Sequence, residues 1–271
     1  MTSRGAGLAE IRAGALSYMA APGIAAVHAF TTRYGGVSRG VYASLNLRRN
    51  GGDERSRVRE NYGVICSALG IDPESLVFTN QVHGSSVRRV GRGDARALFD
   101  APAYDADGLI TAQSGVALAV FTADCTPILL YDPVRGAIGA VHAGWRGTAA
   151  NIAGAAAAAM ERELGCSPAD IRAAIGPCIS QCCFETDSDV ADAMCTLFPH
   201  GGAERGGIVK RLGGKFRVDI KAANAALLAR AGLRPENISV SDECTRCLHG
   251  KYWSHRAMGD TRGSQAAIIA L

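Results

Sequence analysis

Within residues 25–144 the chain carries seven short apolar or β-branched runs, and they arrive in groups rather than in strict alternation with helices. They are AAVHAFTTR (25–33), SLVFTNQVHG (75–84), SVRRVG (86–91), DGLIT (107–111), VALAVFTADC (116–125), TPILLYD (126–132) and AIGAVHAG (137–144). Each is bounded by Gly, Asp, Pro or Asn, which is how short strands are punctuated. Helical periods appear at 54–70, 148–165 and 219–232, each ending at a glycine, and a further helix is expected over 188–198. Grouped strands with few helices predict an α+β class: a single layered domain of mixed β-sheets flanked by helices, spanning 1–271. Residues 199–215, PHGGAERGGIVKRLGGK, are Gly-rich and charged and read as a mobile loop.

Several function classes drop out. The sequence has neither a glycine fingerprint for dinucleotides nor a Walker phosphate loop. A net charge of +4 with scattered arginines forms no basic stripe, so no nucleic-acid partner is expected. No run of about 18 apolar residues exists, so no membrane span is expected. Residues 13–27 loosely imitate a signal peptide, but Pro22 and Gly23 interrupt them, and a strand, a turn and a second strand are expected instead. Nine cysteines, an odd number in irregular clusters, fit a reducing compartment, and the expected location is cytoplasmic.

Three strand ends carry soft donors. His83 precedes a glycine in TNQVHG, Cys125 follows Asp124 in FTADC, and His142 ends a strand in AVHAG. One Cys and two His with a free fourth position make a catalytic zinc site, and thiolate and imidazole suit zinc or copper better than magnesium. The same residues are also ordinary in hydrophobic strands, and spacing does not separate the two readings.

The motif series FTTRYGGVSRGVYASLNL, TNQVHG, DADGLIT, TADCTPILLYD, VHAGWRGT, AIGPCISQCCFE and RVDIKAANAALLARAG resembles the YfiH/YlmD family, in order, from about residue 28 onward. That family goes by the names polyphenol oxidase or laccase domain and purine nucleoside phosphorylase. The resemblance implies a fold related to the cytotoxic-necrotizing-factor and YfiH-like folds. It implies a metal held by His83, Cys125 and His142, with zinc expected and copper the alternative. It further implies phosphorolysis of purine nucleosides (adenosine, inosine, guanosine, methylthioadenosine), with purine nucleoside and phosphate as the partners, and adenosine deamination as an accompanying activity.

Around this core, Arg146 and the start of the helix read over 148–165 are expected to receive phosphate, since helix N-termini and arginine forks both favour anions. A structural ion pair is the other role open to Arg146. Trp145 is expected to pack in the core or face a base. Arg33 and Ser38, at the GGVS turn, form a second expected anion or sugar site. Arg59 and Asn61 lie on a predicted helix, either at a substrate or on a solvated face. Asn80, Gln81 and Asp124 flank ligands and are expected to orient the imidazoles, with Asp124 the expected proton acceptor.

Other cysteines stay open: CISQCC (178–183) and CTRC (244–247) each lack a full tetrahedral set, so a second zinc and a redox pair are both conceivable. The tail differs from the family pattern at His255, Arg256 and Arg262, which leaves their role open. Three rival functions remain: a copper polyphenol oxidase, a cysteine hydrolase cutting cell-wall peptides through Cys125, and a zinc-stabilised binding module.

Overall fold

The computed structural model describes residues 7–199 and 202–271. Two six-stranded mixed sheets stack face to face. The first runs Ala9–Ala13, Leu16–Ala20, Val27–Thr31, Gln265–Ala270, Ala117–Thr122, Leu76–Val77 in spatial order. The second runs Ile238–Val240, Arg172–Ile175, Thr126–Asp132, Ala137–Ala143, Gly108–Thr111, Val87–Arg89. Pairing is antiparallel except at one edge of the first sheet and both edges of the second. This is the α+β arrangement expected from the grouped strands.

Period-two alternation sorts each strand between two hydrophobic layers. Leu129 points inward with Ile138 and Ala140, meeting Phe30, Leu118, Val120, Ala267 and Ile269 of the first sheet. Its neighbours Ile128 and Leu130 point outward and pack on Ala156, Ala157, Met160, Leu227 and Leu228 of two helices, Ile152–Leu164 and Ile220–Arg230. On the far face of the first sheet, Ala29, Ala119 and Ile268 meet Tyr62, Ile65 and Cys66 of the helix Arg55–Leu69. The result is four layers: helix, sheet, sheet, helices. Strands covered on both faces must be apolar at nearly every position, which is why TPILLYD and AIGAVHA read as continuous runs.

Helix ends follow local chemistry. Asp219 accepts from the Ala222 N–H at 2.9 Å to start one helix, and Gly70 and Gly165 close two others at φ 66° and 67°. Two expectations need correcting. The run 148–165 is not one helix: Trp145–Ala149 ends, Asn151 turns left-handed at φ 59°, and Ile152–Leu164 begins with Asn151 as its cap. The described residues of 199–215 are not a loop. Gly202–Arg205 is helical, and Val209–Leu212 pairs with Lys215–Val218 in a hairpin turning at Gly213, whose φ is 59°. Residues 200 and 201 lie outside the described residues. The hairpin joins Glu185–Thr186 in a third sheet, and its Val209 and Val218 pack against the helix Ser188–Leu197.

Candidate metal centre

One end of the second sheet collects the soft donors through its hydrogen-bond register. The hairpin places Thr126 opposite Ala143 and Pro127 opposite His142, so Cys125, one residue ahead, faces the end of the His142 strand. The adjacent strand pairs Gly108 with Val141, which sets Asp107 beside His142, and the His142 N–H donates to the Asp107 carbonyl at 2.7 Å. On the other side Val87 pairs with Gly108, which carries the loop 82–86 to the same end. The Nδ1 or Nε2, Sγ and Nδ1 or Nε2 atoms of His83, Cys125 and His142 all lie within 4.8 Å of one another. The two imidazole rings meet edge to face, centroids 4.8 Å apart.

Asp107 holds this arrangement. Fully buried, it accepts from His142 Nδ1 at 2.8 Å and from the backbone N–H groups of Val82, His83 and Gly84 at 3.2, 3.0 and 2.7 Å. An ionised carboxylate only accepts, so Nδ1 carries the proton and Nε2 keeps its lone pair for a metal. Burial alone would raise the Asp107 carboxyl, but these donors outweigh it and hold it below the ordinary carboxylate range. His83 sits at φ 61°, a left-handed conformation that costs a non-glycine residue roughly 1–3 kcal/mol. The three N–H bonds to Asp107 are what fix that turn.

The glycines of HAGWRG answer to packing. A Cβ on Gly144 would lie 3.0 Å from His83 Cδ2 and 3.3 Å from Cys125 Sγ, and one on Gly147 would lie 2.8 Å from the Gly84 carbonyl. Both loops can approach only because neither residue has a side chain.

Electrostatics bind the donors to each other. Burial pushes the Cys125 thiol up, yet the His142 and His83 rings overcome that and bring it well below an ordinary thiol. Burial works against a charged His142, and the Cys125 and Asp107 anions reverse the balance and raise it. A thiolate held this way is a ready metal ligand and nucleophile. His142 is 2% exposed and lies behind, while His83 and Cys125 open onto a cavity of about 330 Å³. That volume is at the small end of the roughly 300–1,000 Å³ typical of ligand pockets.

The cavity has an apolar and a cationic side. Trp145, Ile179, Phe184 and Ile220 supply the first, Arg256 and Arg262 the second, and His255 also lines it. Trp145 also packs onto the cluster of the third sheet, which is the core packing expected of it. Arg262 Nε is buried without a hydrogen-bond partner, as is Thr126 Oγ1, and both residues line the cavity. Burial lowers the Arg262 pKa and the nearby Arg48 charge lowers it further. A buried donor without a partner costs about 1–3 kcal/mol unless a ligand accepts from it.

Most of the other expected residues lie elsewhere. Arg146 is exposed, stacks on Trp145 at 4.2 Å and does not line the cavity; the break at Asn151 also puts the long helix one turn beyond it. Arg33 spends its guanidinium on the Ala43 and His249 carbonyls and stacks on Trp253 at 4.1 Å. Ser38 is buried, donates to Asp53 at 2.6 Å and accepts from Asn61 at 2.9 Å. Asn61 is buried too, which corrects the solvated-face alternative. Arg59 lies over Phe99, outside the cavity. Asn80 donates to Asp105, and Gln81 exchanges two 2.7 Å bonds with the Phe121 backbone, so neither orients an imidazole. Asp124 does line the cavity, but its carboxylate accepts from Thr245 Oγ1 at 2.6 Å and the Arg256 N–H at 2.8 Å. Orientation of the imidazole belongs to Asp107 and the cationic wall to the tail residues. Asp107 stands in the DADGLIT motif, but the groups it serves are distant in sequence.

Comparison with known proteins identifies the family. A family model described as multi-copper polyphenol oxidoreductase laccase matches residues 27–271. Purine nucleoside phosphorylase YlmD of Geobacillus stearothermophilus is 36% identical over 253 residues, covering 92% of each chain. Adenosine deaminase RL5, from an unknown prokaryotic organism, is 36% identical over 250 residues, 90% of this chain and 93% of its own. The crystal structure of YlmD from Geobacillus stearothermophilus matches with a TM-score of 0.90 at 36% identity, covering 96% of this chain and 97% of that one. The chain belongs to the multi-copper polyphenol oxidoreductase laccase family.

Proposed function

We propose that this chain is a metal-dependent purine nucleoside phosphorylase working as one catalytic domain, with zinc held by His83, Cys125 and His142. The observation that carries the proposal is the meeting of these three donors with a cavity that Arg256 and Arg262 line. The relatives named as phosphorylases supply the substrate class.

The residues fit the metal by chemistry: one low-pKa thiolate, two imidazoles, and a carboxylate fixing the tautomer of one of them. Among the described residues, the two clusters able to hold a metal contain two histidines in all, which favours one soft cation over a multi-copper array. When bound, zinc would stabilise developing charge on a substrate oxygen.

Everything else falls to the chain. Arg256 and Arg262 hold phosphate and fix its line of approach to C1′ of the ribose, which turns an encounter into an oriented attack. A phosphate oxygen bonds to C1′ as the bond from C1′ to the purine nitrogen breaks, and the purine leaves with that electron pair. Trp145, Ile179, Phe184 and Ile220 bury the base and exclude water. Adenosine deamination is the second reading, favoured by the similarity to RL5.

Purified full-length protein, with its metal content measured, incubated with adenosine with and without phosphate tests the proposal. Adenine and ribose 1-phosphate should form only when phosphate is present. Inosine formed regardless of phosphate would move the assignment to deamination. Phenol oxidation with bound copper, or thiol-dependent amide hydrolysis that survives chelation, would overturn both.

A further inference from the structure

Two cysteine clusters that are incomplete in sequence become one in space. The strands Arg172–Ile175 and Ile238–Val240 run parallel, with Ala173 opposite Ile238 and Ile175 opposite Val240. Beyond the strands, one residue out of their register, Cys178 forms a parallel bridge to Cys244, so the segments that follow both strands stay side by side. There Cys182, Cys183, Cys244 and Cys247 bring four sulfurs within 4.8 Å of one another. The Sγ atoms of Cys182 and Cys183 are 3.8 Å apart, those of Cys182 and Cys247 3.6 Å, and those of Cys183 and Cys247 3.3 Å. A tetrahedron of thiolates around zinc, with bonds of about 2.3 Å, has sulfur–sulfur edges of about 3.8 Å. All four are free thiols, with Cys182 and Cys247 exposed and Cys244 buried.

The surroundings match an anionic centre. The Ser180 N–H donates to Cys244 Sγ at 3.3 Å, and Arg246 donates to Cys183 Sγ at 3.5 Å. Arg217 reaches the Cys182 carbonyl. Donors around ligating sulfurs are what a zinc centre needs to spread the charge of four thiolates.

We infer that Cys182, Cys183, Cys244 and Cys247 form a structural tetrathiolate zinc site, separate from the His83–Cys125–His142 centre. With four protein ligands it has no open position, so its task is to tie two loops together. The first loop supplies Ile179 and Phe184 to the cavity wall, and the second braces residues that line it. Thr245, inside the Cys-x-x-Cys turn, donates to Asp124 beside Cys125, and Arg256 donates to the Cys183 and Glu185 carbonyls at 3.3 and 3.1 Å. The site therefore clamps the arginine wall against the triad.

Metal counting on the full chain, purified under reducing conditions, tests this without reference to turnover. Wild type should carry two zinc ions per chain, and His142→Ala and the Cys182→Ser/Cys247→Ser pair one each. One zinc in wild type that vanishes only in the cysteine pair would uphold the four-thiol site and count against the triad. If that pair misfolds, wild type still decides: cobalt substitution should give the sulfur charge-transfer bands of a tetrathiolate, retained in His142→Ala. In native wild type, the four thiols of the cluster, together with Cys125, should become reactive to a thiol reagent only after chelation. Unchanged zinc in the cysteine pair, four thiols reactive before chelation, or disulfides among the four in unreduced protein would overturn the site.

Discussion

The two donor clusters sit within one fold and are built oppositely. The His83–Cys125–His142 cluster hangs from strand ends of the buried second sheet, and its geometry comes from ladder register plus one buried carboxylate. The four-cysteine cluster hangs from two turns past the sheet edge, with two of its cysteines exposed. Three mixed donors facing a cavity leave room for a reactant, whereas four thiols facing each other leave none. On the proposed roles, chemistry sits where ladder register fixes the donors and the clamp sits where two turns leave the strands.

The largest effect that could break this contrast is loss of a triad ligand. Cys125→Ser or His142→Ala should reduce phosphorolysis to background and remove one metal per chain, while circular dichroism stays that of the folded protein. Retained turnover would dissolve the distinction. Next, Asp107→Asn should weaken metal at the triad about 10–100-fold, the usual cost of losing a partner that orients a ligand. Metal at the four thiols should be unchanged, as competition with a chromogenic chelator would show. Arg262→Met should raise the KM for phosphate about tenfold or more, given about 1.5–3 kcal/mol for a hydrogen bond to a charged group, without altering metal content.

The smallest effect concerns anchoring. Lys251 pins the turn of the four thiols through Glu243 at 2.8 Å and Glu10 at 3.0 Å. Burial alone would lower Lys251, but these carboxylates raise it above 10.5, and its hydrogen bond holds Glu10 below 4.5. A raised lysine stabilises below pH 10.5 and loses that as pH rises through its folded value. A lowered glutamate stabilises above pH 4.5 and loses that as pH falls. The gap in Tm between wild type and Lys251→Met should thus be widest between these limits and shrink outside them, by a few degrees at most. A gap independent of pH would mean that Lys251 acts through packing.

Much of the scaffold is legible in the residues because local pattern and tertiary demand coincide. Runs such as TPILLYD are apolar at nearly every position because both faces are covered, and the helices stop at Gly70 and Gly165 because only glycine adopts the closing turn cheaply. The three candidate metal donors are visible through their motifs. Arg146 misleads because its expected role assumed one helix over 148–165, and nothing local announced the left-handed turn at Asn151. The hairpin after Gly207 was hidden by glycines that serve its turns. Asp107 is not legible in the sequence because its partners, at 82–84 and 142, are gathered by two different strand pairings.

By itself the sequence determined most element types and the layered class, since these depend on side chains within a few positions of each other, and it offered the three donors only through the family's motifs. Only tertiary structure decided that Asp107 aims the imidazole, that Arg256 and Arg262 line the cavity, and that CISQCC and CTRC form one cluster. Those depend on sheet register, which brings together residues tens of positions apart and is set by burial of the whole core rather than by any single stretch.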